Sequence, residues 1–426
     1  MRFAHFSDIH LGFQKEEFLQ RMEQDVFARA LDDCIGRSVD FILICGDMFH
    51  VNIPSMHVQK FAFAMLRRVH EAGIPVYVVY GSHDFSPSAT SVIDLLEETG
   101  YITKVQKAES GEGGDISLGF VTDEKTGAKM AGLHGRAASK DVEYYERLRR
   151  EELESEPGFK IFLFHGAVSD MRTDDAVAAA TAETAMPLSY MPRGFAYYAG
   201  GHMHRFSHRT FDGYAHVVYP GTPFAGFYPD LEENARGAER GYALVEFDHA
   251  GGVRDVQQIV IPNCEYEMLS IRADHRRSDA VNDEIVRNVN GMDPAGKVVM
   301  LKVAGRLSEG KTTDIDFKGI TDRLLKDGAA EVKISSNQLS SAEYEIRESR
   351  GGTAEEIAGN AFKENIGQVD SELDALTGRK GIELAEGLLD VLRRPVLENE
   401  PLNVYRGRIT EDAIKTLGLP GGEEEG

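Results

Sequence analysis

Five stretches of the chain end in side chains that can hold a cation or move a proton. They are Asp8-Ile9-His10, Gly46-Asp47, Gly81-Ser82-His83-Asp84, His165-Gly166 and His202-Met203-His204. Each follows an apolar run. Residues two apart on an extended chain leave it on the same side, so Asp8 with His10, and His202 with His204, are expected to point into one crevice. The neighbouring glycines permit tight turns and leave room for a ligand beside the backbone. Mixed carboxylate and imidazole ligation suits Mn²⁺, Fe²⁺ or Zn²⁺ better than Ca²⁺ or a mostly hydrated Mg²⁺. The ligands are too many for one ion. Two ions sharing a carboxylate would lie about 3.5–4 Å apart, the spacing that clamps an in-line displacement at phosphorus. A lone histidine at a strand end is ordinarily structural or solvent-facing; the ordered set carries the inference.

The elements that must present these residues are legible. Residues 1–8, FILICGD (41–47), VYVVYGSHD (76–84), FKIFLFHG (159–166), FAYYAGGH (195–202), AHVVYPG (215–221) and GYALVEF (241–247) read as buried strands and their exits. Helical periodicity covers 16–36 (Leu19, Met22, Val26, Ala30, Cys34) and 55–72 (Val58, Phe61, Ala62, Met65, Leu66, Val69), and a third helix follows a Ser-rich start near 88–100. The expected class is α/β, in layered form: two packed β-sheets flanked by helices, with a small βαβαβ domain and C-terminal helices. In α/β sheets, ligands bind at the carboxyl ends of the strands. Residues 1–265 form the first expected domain and 266–345 the small α/β domain, with helices near 278–290 and 315–327. Gly351-Gly352 reads as a hinge, followed by a helical region over 353–420 with an apolar stripe at Ile382, Leu384, Ala385, Leu388, Leu389 and Leu392. The closing GGEEEG has the composition of a disordered tail.

With 426 residues the chain exceeds one hydrophobic core. The net charge of −23 argues against a general nucleic-acid coat protein, which would be basic, and leaves room for nucleic-acid chemistry through bound cations. Surface acidity otherwise serves solubility. No apolar run would span a bilayer. The start MRFAHFSDIH lacks the regions of a secretion signal. Cys34, Cys45 and Cys264 are too few and too scattered for a disulfide framework, so a reducing cytoplasm is the expected location.

In their order, DIH, GDMFH, GSHD, HG and GHMH resemble the motifs of the calcineurin-like metallophosphoesterase superfamily, over about residues 1–250. With the last His of GDMFH, the YPG segment at 219–221 and the small α/β domain that follows, the resemblance narrows to the SbcD-type DNA double-strand-break repair nucleases of archaeal and eukaryotic style. That resemblance implies one metal on Asp8, His10, Asp47 and His204. It implies a second on Asp47, His165, His202 and the residue at 82, with Asp47 bridging. His83, oriented by Asp84, would contact the scissile phosphate and assist the leaving oxygen, and His50 would be a second non-ligand histidine on the phosphate. The family cofactor would be two Mn²⁺ ions, with Mg²⁺, Fe²⁺ or Zn²⁺ as alternatives. The family has Asn where this chain has Ser82, and the shorter hydroxyl is expected to hold the second metal more loosely.

The implied activity is Mn²⁺-dependent: 3′–5′ exonuclease action on double strands and endonuclease action on single strands or hairpins. The implied partners are DNA, an SbcC-like coiled-coil ABC ATPase at the C-terminal helices, and a second copy of the chain through helices 55–72 and 88–100. The small domain would cap the site. Arg147, Arg149 and Arg150, and Arg276 with Arg277, are candidates for phosphate-backbone contact or simply solvated faces. Two rivals stand beside this. One is another phosphoesterase on the same fold, a phosphatase or cyclic-nucleotide phosphodiesterase; the residues beyond 265 count against it. The other is a non-catalytic scaffold, whose support is Ser82.

Overall fold

The computed structural model describes residues 1–85, 90–110, 114–135, 142–171, 185–248, 252–342, 362, 378–395, 397 and 402–417. The Gly351-Gly352 hinge and the GGEEEG tail lie outside these residues, as does the Ser-rich stretch before Ser91 in part. The described chain divides into two compact units: Met1–Ser270, Met292–Lys302 and Lys318–Ile334 make the first, and Ile271–Gly291, Val303–Phe317 and Ser335–Gly426 the second.

The first unit begins with alternating strands and helices: β1 (Arg2–Phe6), α1 (Glu17–Gly36), β2 (Phe41–Cys45), α2 (Met56–Glu71), β3 (Val76–Val79), α3 (Val92–Glu98) and β4 (Thr103–Lys104). A short hairpin, β5 (Lys107–Ser110) and β6 (Ile116–Gly119), is followed by β7 (Val121–Thr122), β8 (Lys129–Leu133), β9 (Lys160–His165), β10 (Tyr197–Gly201), β11 (Ser207–Phe211), β12 (Tyr214–Tyr219), β13 (Gly241–Phe247) and β14 (Val253–Val260). One six-stranded sheet runs β14-β13-β1-β2-β3-β4 and the other β11-β12-β10-β9-β8-β7. Parallel pairing joins β1, β2, β3 and the edge strand β4 in the first sheet, and β8, β9, β10 and β12 in the second. Strands buried on both faces favour apolar residues, which is why FILIC and the IFLF of β9 are continuous runs.

Side chains alternate across each strand and build three layers. Phe3, Phe41, Leu43, Tyr77 and Val79 of the first sheet meet Met130, Ile161, Leu163, Tyr197 and Val218 of the second in a shared core. Ala4, Phe6, Ile42, Ile44 and Val78 face the other way, onto Leu19, Val26 and Ala30 of α1 and Ala62 and Leu66 of α2. On the far side of the second sheet, Phe162, Phe164, Tyr198 and Tyr219 pack with Tyr145, Leu148 and Leu188. Two packed sheets with helices outside is the expected class. Helix α3 starts at Val92, not at 88, because Ser91 caps it: Ser91 Oγ accepts from Ile93 N at 3.0 Å, and the Asp94 carboxylate accepts from Ser91 N at 2.8 Å. Sequence reading missed β8, a KMAGL run too short and too glycine-rich to stand out, though it lies fully inside the second sheet.

In the second unit, the helix Ser278–Asn290 buries Val281, Ile285 and Val289, and Gly305–Leu307 pair in parallel with Leu339–Ser341. Helices Gly378–Leu392 and Leu402–Leu417 pack on each other, with Arg394 paired to Asp412 at 2.5 Å. Ile382, Leu384, Ala385, Leu388 and Leu389 are accordingly half-buried, while Leu392 is exposed.

Phe41 stacks on Phe3 at 4.9 Å and meets Tyr77 edge-on at 5.9 Å inside the shared core. Phe41→Ala is expected to destabilise the protein by about 3–5 kcal/mol. The cost should appear as a lower urea midpoint at unchanged slope, with the dimension of the core rather than the denatured state altered.

Candidate metal centre

The two sheets deliver the candidate residues from loops just past the ends of β1, β2, β3 and β10, and from His165 at the last position of β9. Asp8 and His10 are not on extended chain, as the i, i+2 argument expected. Both have left-handed φ (52° and 51°), as do Asp47 (51°) and His202 (91°). The backbone is bent so that Asp8 N donates to Gly46 O at 3.1 Å and His10 N to Asp47 O at 2.9 Å. These bonds stitch the β1 exit to the β2 exit and aim the side chains inward. Glycine is required where the loops pass closest: a Cβ on Gly81 would lie 2.1 Å from Asp47 Oδ1.

Among the described residues three groups of ligand-type atoms result, each with its atoms within 4.8 Å of one another: Asp8, His10 and His204; Asp8, Asp47 and His165; and His10, His50 and His83. The first two have the residue types expected of two metals beside shared carboxylates. Asp47 Oδ2 lies 3.2 Å from His165 Nε2 and 3.9 Å from His10 Nε2, while His204 Nε2 lies 3.3 Å from His10 Nε2 and 3.8 Å from Asp8 Oδ1. Ser82 Oγ reaches Asp47 Oδ2 at a long 3.4 Å. The His202 ring is 5.5 Å from that of His165 and in none of the three groups; its backbone N–H donates to both Asp8 oxygens, at 3.1 and 2.9 Å.

The protonation pattern tests whether cations fit. His165 Nδ1 faces the Cys45 carbonyl at 2.9 Å, and His204 Nδ1 faces Asp230 Oδ2 at 2.7 Å. Both partners only accept, so Nδ1 carries the proton and Nε2 presents a lone pair. Those lone pairs look at Asp47 and Asp8, which are anionic oxygens. His165 Nε2 stands 3.2 Å from Asp47 Oδ2 as an ion-pair contact with no hydrogen-bond partner, and His10 Nδ1 is a second such buried atom. A cation between these groups removes the conflict, so the residues fit a metal centre. Without one, burial works against charge on His165, yet the Asp47 and Asp8 carboxylates raise its pKa above that of a free imidazole. Burial raises Asp8, and leaves His10 and His202 neutral at ordinary pH.

Asp230 is the functional residue that sequence reading missed. It lies in the first turn of the helix Tyr228–Ala235, where its carboxylate also accepts from Gly226 N at 2.9 Å and Phe227 N at 2.8 Å. Burial opposes its charge, but His204 and Arg240 lower its pKa. A carboxylate behind a ligating imidazole fixes its tautomer and ring orientation. The available signal was an acidic residue just after Tyr228-Pro229, a helix start.

The Asp84 carboxylate bonds backbone amides and not the His83 ring. It accepts from Gly81 N at 2.6 Å and Met48 N at 2.9 Å, so it ties the β3 exit to the β2 exit. His83 Nδ1 instead meets the His50 carbonyl at 3.0 Å, and its ring stacks on that of His50 at 4.9 Å. Phe227 closes the cluster, stacked on His204 at 5.4 Å and 5.3 Å from the His10 ring. The basic candidates are largely committed to other partners. Arg149 pairs with Glu152, Arg150 donates to Ser189 O, Arg276 pairs with Glu284 and Arg277 with Asp279.

Residues 1–206 match the family described as calcineurin-like phosphoesterase. The chain is 28% identical over 258 residues to a DNA double-strand break repair protein Mre11 of Methanopyrus kandleri, covering 59% of this chain and 55% of that protein. It is 27% identical over 283 residues to the Mre11 protein of Sulfurisphaera tokodaii, covering 65% and 66%. It is 25% identical over 255 residues to the uncharacterized metallophosphoesterase YhaO of Bacillus subtilis, covering 58% and 57%. The chain thus spans between about half and two thirds of the length of these relatives. The resemblance drawn from the ordered motifs is borne out at this level. Among the described residues, no helix is long and apolar enough to cross a membrane.

Two outcomes are expected. Asp230→Asn should weaken Mn²⁺ binding about 10–100-fold in calorimetric titration, with the fold retained in circular dichroism. Metal uptake must also displace the proton that Asp47 and Asp8 hold on His165. Mn²⁺ affinity should therefore rise with pH, with proton release visible when titrations are repeated in buffers of different ionisation enthalpy.

Proposed function

We propose, for a chain whose first 206 residues belong to the calcineurin-like phosphoesterase family, that it is a Mn²⁺-dependent nuclease that trims and nicks DNA at double-strand ends. The observation that carries this reading is the pairing of two carboxylate–imidazole groups with two further histidines, His50 and His83, stacked beside them. Asp8, His10, Asp47 and His204 would hold one metal. Asp47, Ser82, His165 and His202 would hold the other. Two divalent cations supply Lewis acidity, polarising a phosphoryl oxygen and lowering the pKa of water.

The chain's own residues do the rest. Asp230 and the Cys45 carbonyl hold the two ligating imidazoles in the tautomer that ligation needs. With Nδ1 engaged by the His50 carbonyl, His83 has Nε2 left to pass a proton to the leaving oxygen of the phosphodiester. His50 stands against the same phosphate. Asp84 keeps the loop that carries His83 at its height above the sheet. DNA phosphates approach a protein of net charge −23 through this centre rather than through a basic surface.

The remaining assignments follow from the same reading. The small α/β region 266–345 would cap the DNA, and the helices within 353–420 would take an SbcC-like ATPase. The apolar side chains Ile53, Met56 and Leu95, exposed at 60%, 77% and 47%, favour a second copy of the chain on α2 and α3.

A 3′-labelled linear duplex tests the central assignment. Label should be lost with Mn²⁺ and not with chelator, and His83→Ala should be slower by about 10²–10⁴-fold. Hydrolysis of bis(p-nitrophenyl) phosphate without any cutting of DNA would point to another phosphoesterase instead. Silence on both substrates, with no metal bound, would point to the scaffold.

A further inference from the structure

His10, His50 and His83 form a group that the metal assignments above do not use as one. Each offers a ring nitrogen within 4.8 Å of the others. Their ring centroids are 5.7 Å apart for His10 and His50, 5.1 Å for His10 and His83, and 4.9 Å for His50 and His83. Imidazole nitrogens about 2.0–2.1 Å from a tetrahedral ion put ring centroids about 5 Å apart. The trio therefore already has the spacing of a three-legged ligand set. Two of its nitrogens, His10 Nδ1 and His50 Nδ1, are buried without a hydrogen-bond partner. His83 Nδ1 is engaged by the His50 carbonyl, which leaves Nε2. The Phe227 ring stands on the fourth side, 5.3, 6.1 and 5.9 Å from the rings of His10, His50 and His83.

The chemistry of this trio differs from that of its neighbours. The other two groups contain Asp8 or Asp47 and suit an ion that tolerates anionic oxygen. The trio is nitrogen only: His50 and His83 would bind as neutral imidazoles, and His10, already a ligand of the first metal, would bridge the two ions by releasing its remaining ring proton to solvent. Imidazole nitrogens favour Zn²⁺, Ni²⁺ or Cu²⁺ over Mn²⁺ or Mg²⁺.

We propose that His10, His50 and His83 form a third cation site, selective for a borderline divalent ion such as Zn²⁺, and that filling it silences the phosphoesterase. The silencing half rests on the proposed function. His50 and His83 are the residues assigned to the scissile phosphate, and His10 is shared with the first metal. An ion on the trio takes His50 and His83 away from the phosphate, while His10 bridges that ion to the first metal.

The full chain is dialysed to equilibrium against Zn²⁺, and bound metal is counted by plasma emission spectroscopy. Wild type is expected to hold about three equivalents and His50→Ala about two. The two retained equivalents report that the variant is folded with its carboxylate-bearing groups intact. If His50→Ala holds no metal at all, His83→Gln replaces it in the same count. Co²⁺ gives a second readout: visible absorption of an ion on three imidazole nitrogens should be present in wild type and lost in the variant. Equal stoichiometry in wild type and variant overturns the site. Counting metal needs no turnover, so this result is independent of whether DNA is the substrate. For the silencing half, Zn²⁺ added to the Mn²⁺-loaded protein should cut hydrolysis of bis(p-nitrophenyl) phosphate by about tenfold or more as the third equivalent binds. Binding of that equivalent with full activity overturns the silencing half and leaves the site.

Discussion

Asp8 and Asp47 are 0% and 2% exposed, and their oxygens lie within 4.8 Å of each other. Burial and mutual repulsion both oppose keeping two carboxylates charged at that separation. Proteins usually answer such a pair with Lys or Arg, yet among the described residues neither carboxylate has an ion pair with either. Their neighbours are imidazoles. His165 and His204 are held by the Cys45 carbonyl and Asp230 so that each directs a lone pair at a carboxylate. The arrangement is deficient in positive charge at one point, and only ions from outside, protons or metal, supply it. The rest of the centre follows from that deficit.

The fold holds this unfavourable cluster with its backbone. Among the described residues, seven non-glycine positions have left-handed φ, and four of them are Asp8, His10, Asp47 and His202. Such conformations cost about 1–3 kcal/mol each and persist only where surroundings over-determine them. Here the surroundings are rigid: parallel strands buried on both faces, with Phe41, Leu43, Leu163 and Tyr197 fully inside the shared core. Asp84 contributes by bonding the Gly81 and Met48 amides, so the loop bearing His83 is fixed to the loop bearing Asp47. The buried Arg240 joins Glu233 at 2.8 Å and Asn234 at 2.7 Å behind the helix that carries Asp230. Metal ligands, supporting carboxylates and core are thus one continuous packing problem.

Much of this was readable from residue order. Continuous apolar runs gave β2, β9 and β10, because a parallel strand between two layers has no polar face to betray its register. Ligand-type residues after those runs gave the crevice, because parallel strands release their carboxyl ends on one side. What was not readable came from contacts distant in sequence. Asp230 meets His204 across 26 positions, through a helix whose start looks like any other. The tie between His83 and the His50 carbonyl uses a backbone atom, which no residue type announces. The i, i+2 rule assumed extended chain where left-handed bends do the aiming. KMAGL in β8 was hidden because sheet neighbours, not its own composition, bury it. The His10, His50 and His83 group was invisible for the same reason: three loops bring it together.

Anomalous diffraction at the manganese edge from crystals grown with Mn²⁺ tests the central claim most directly. The account predicts two peaks about 3.5–4 Å apart, both within reach of Asp47, one beside His10 and His204 and the other beside His165 and His202. A crevice without anomalous signal, or a single ion that leaves His165 Nε2 facing Asp47 uncompensated, would contradict it.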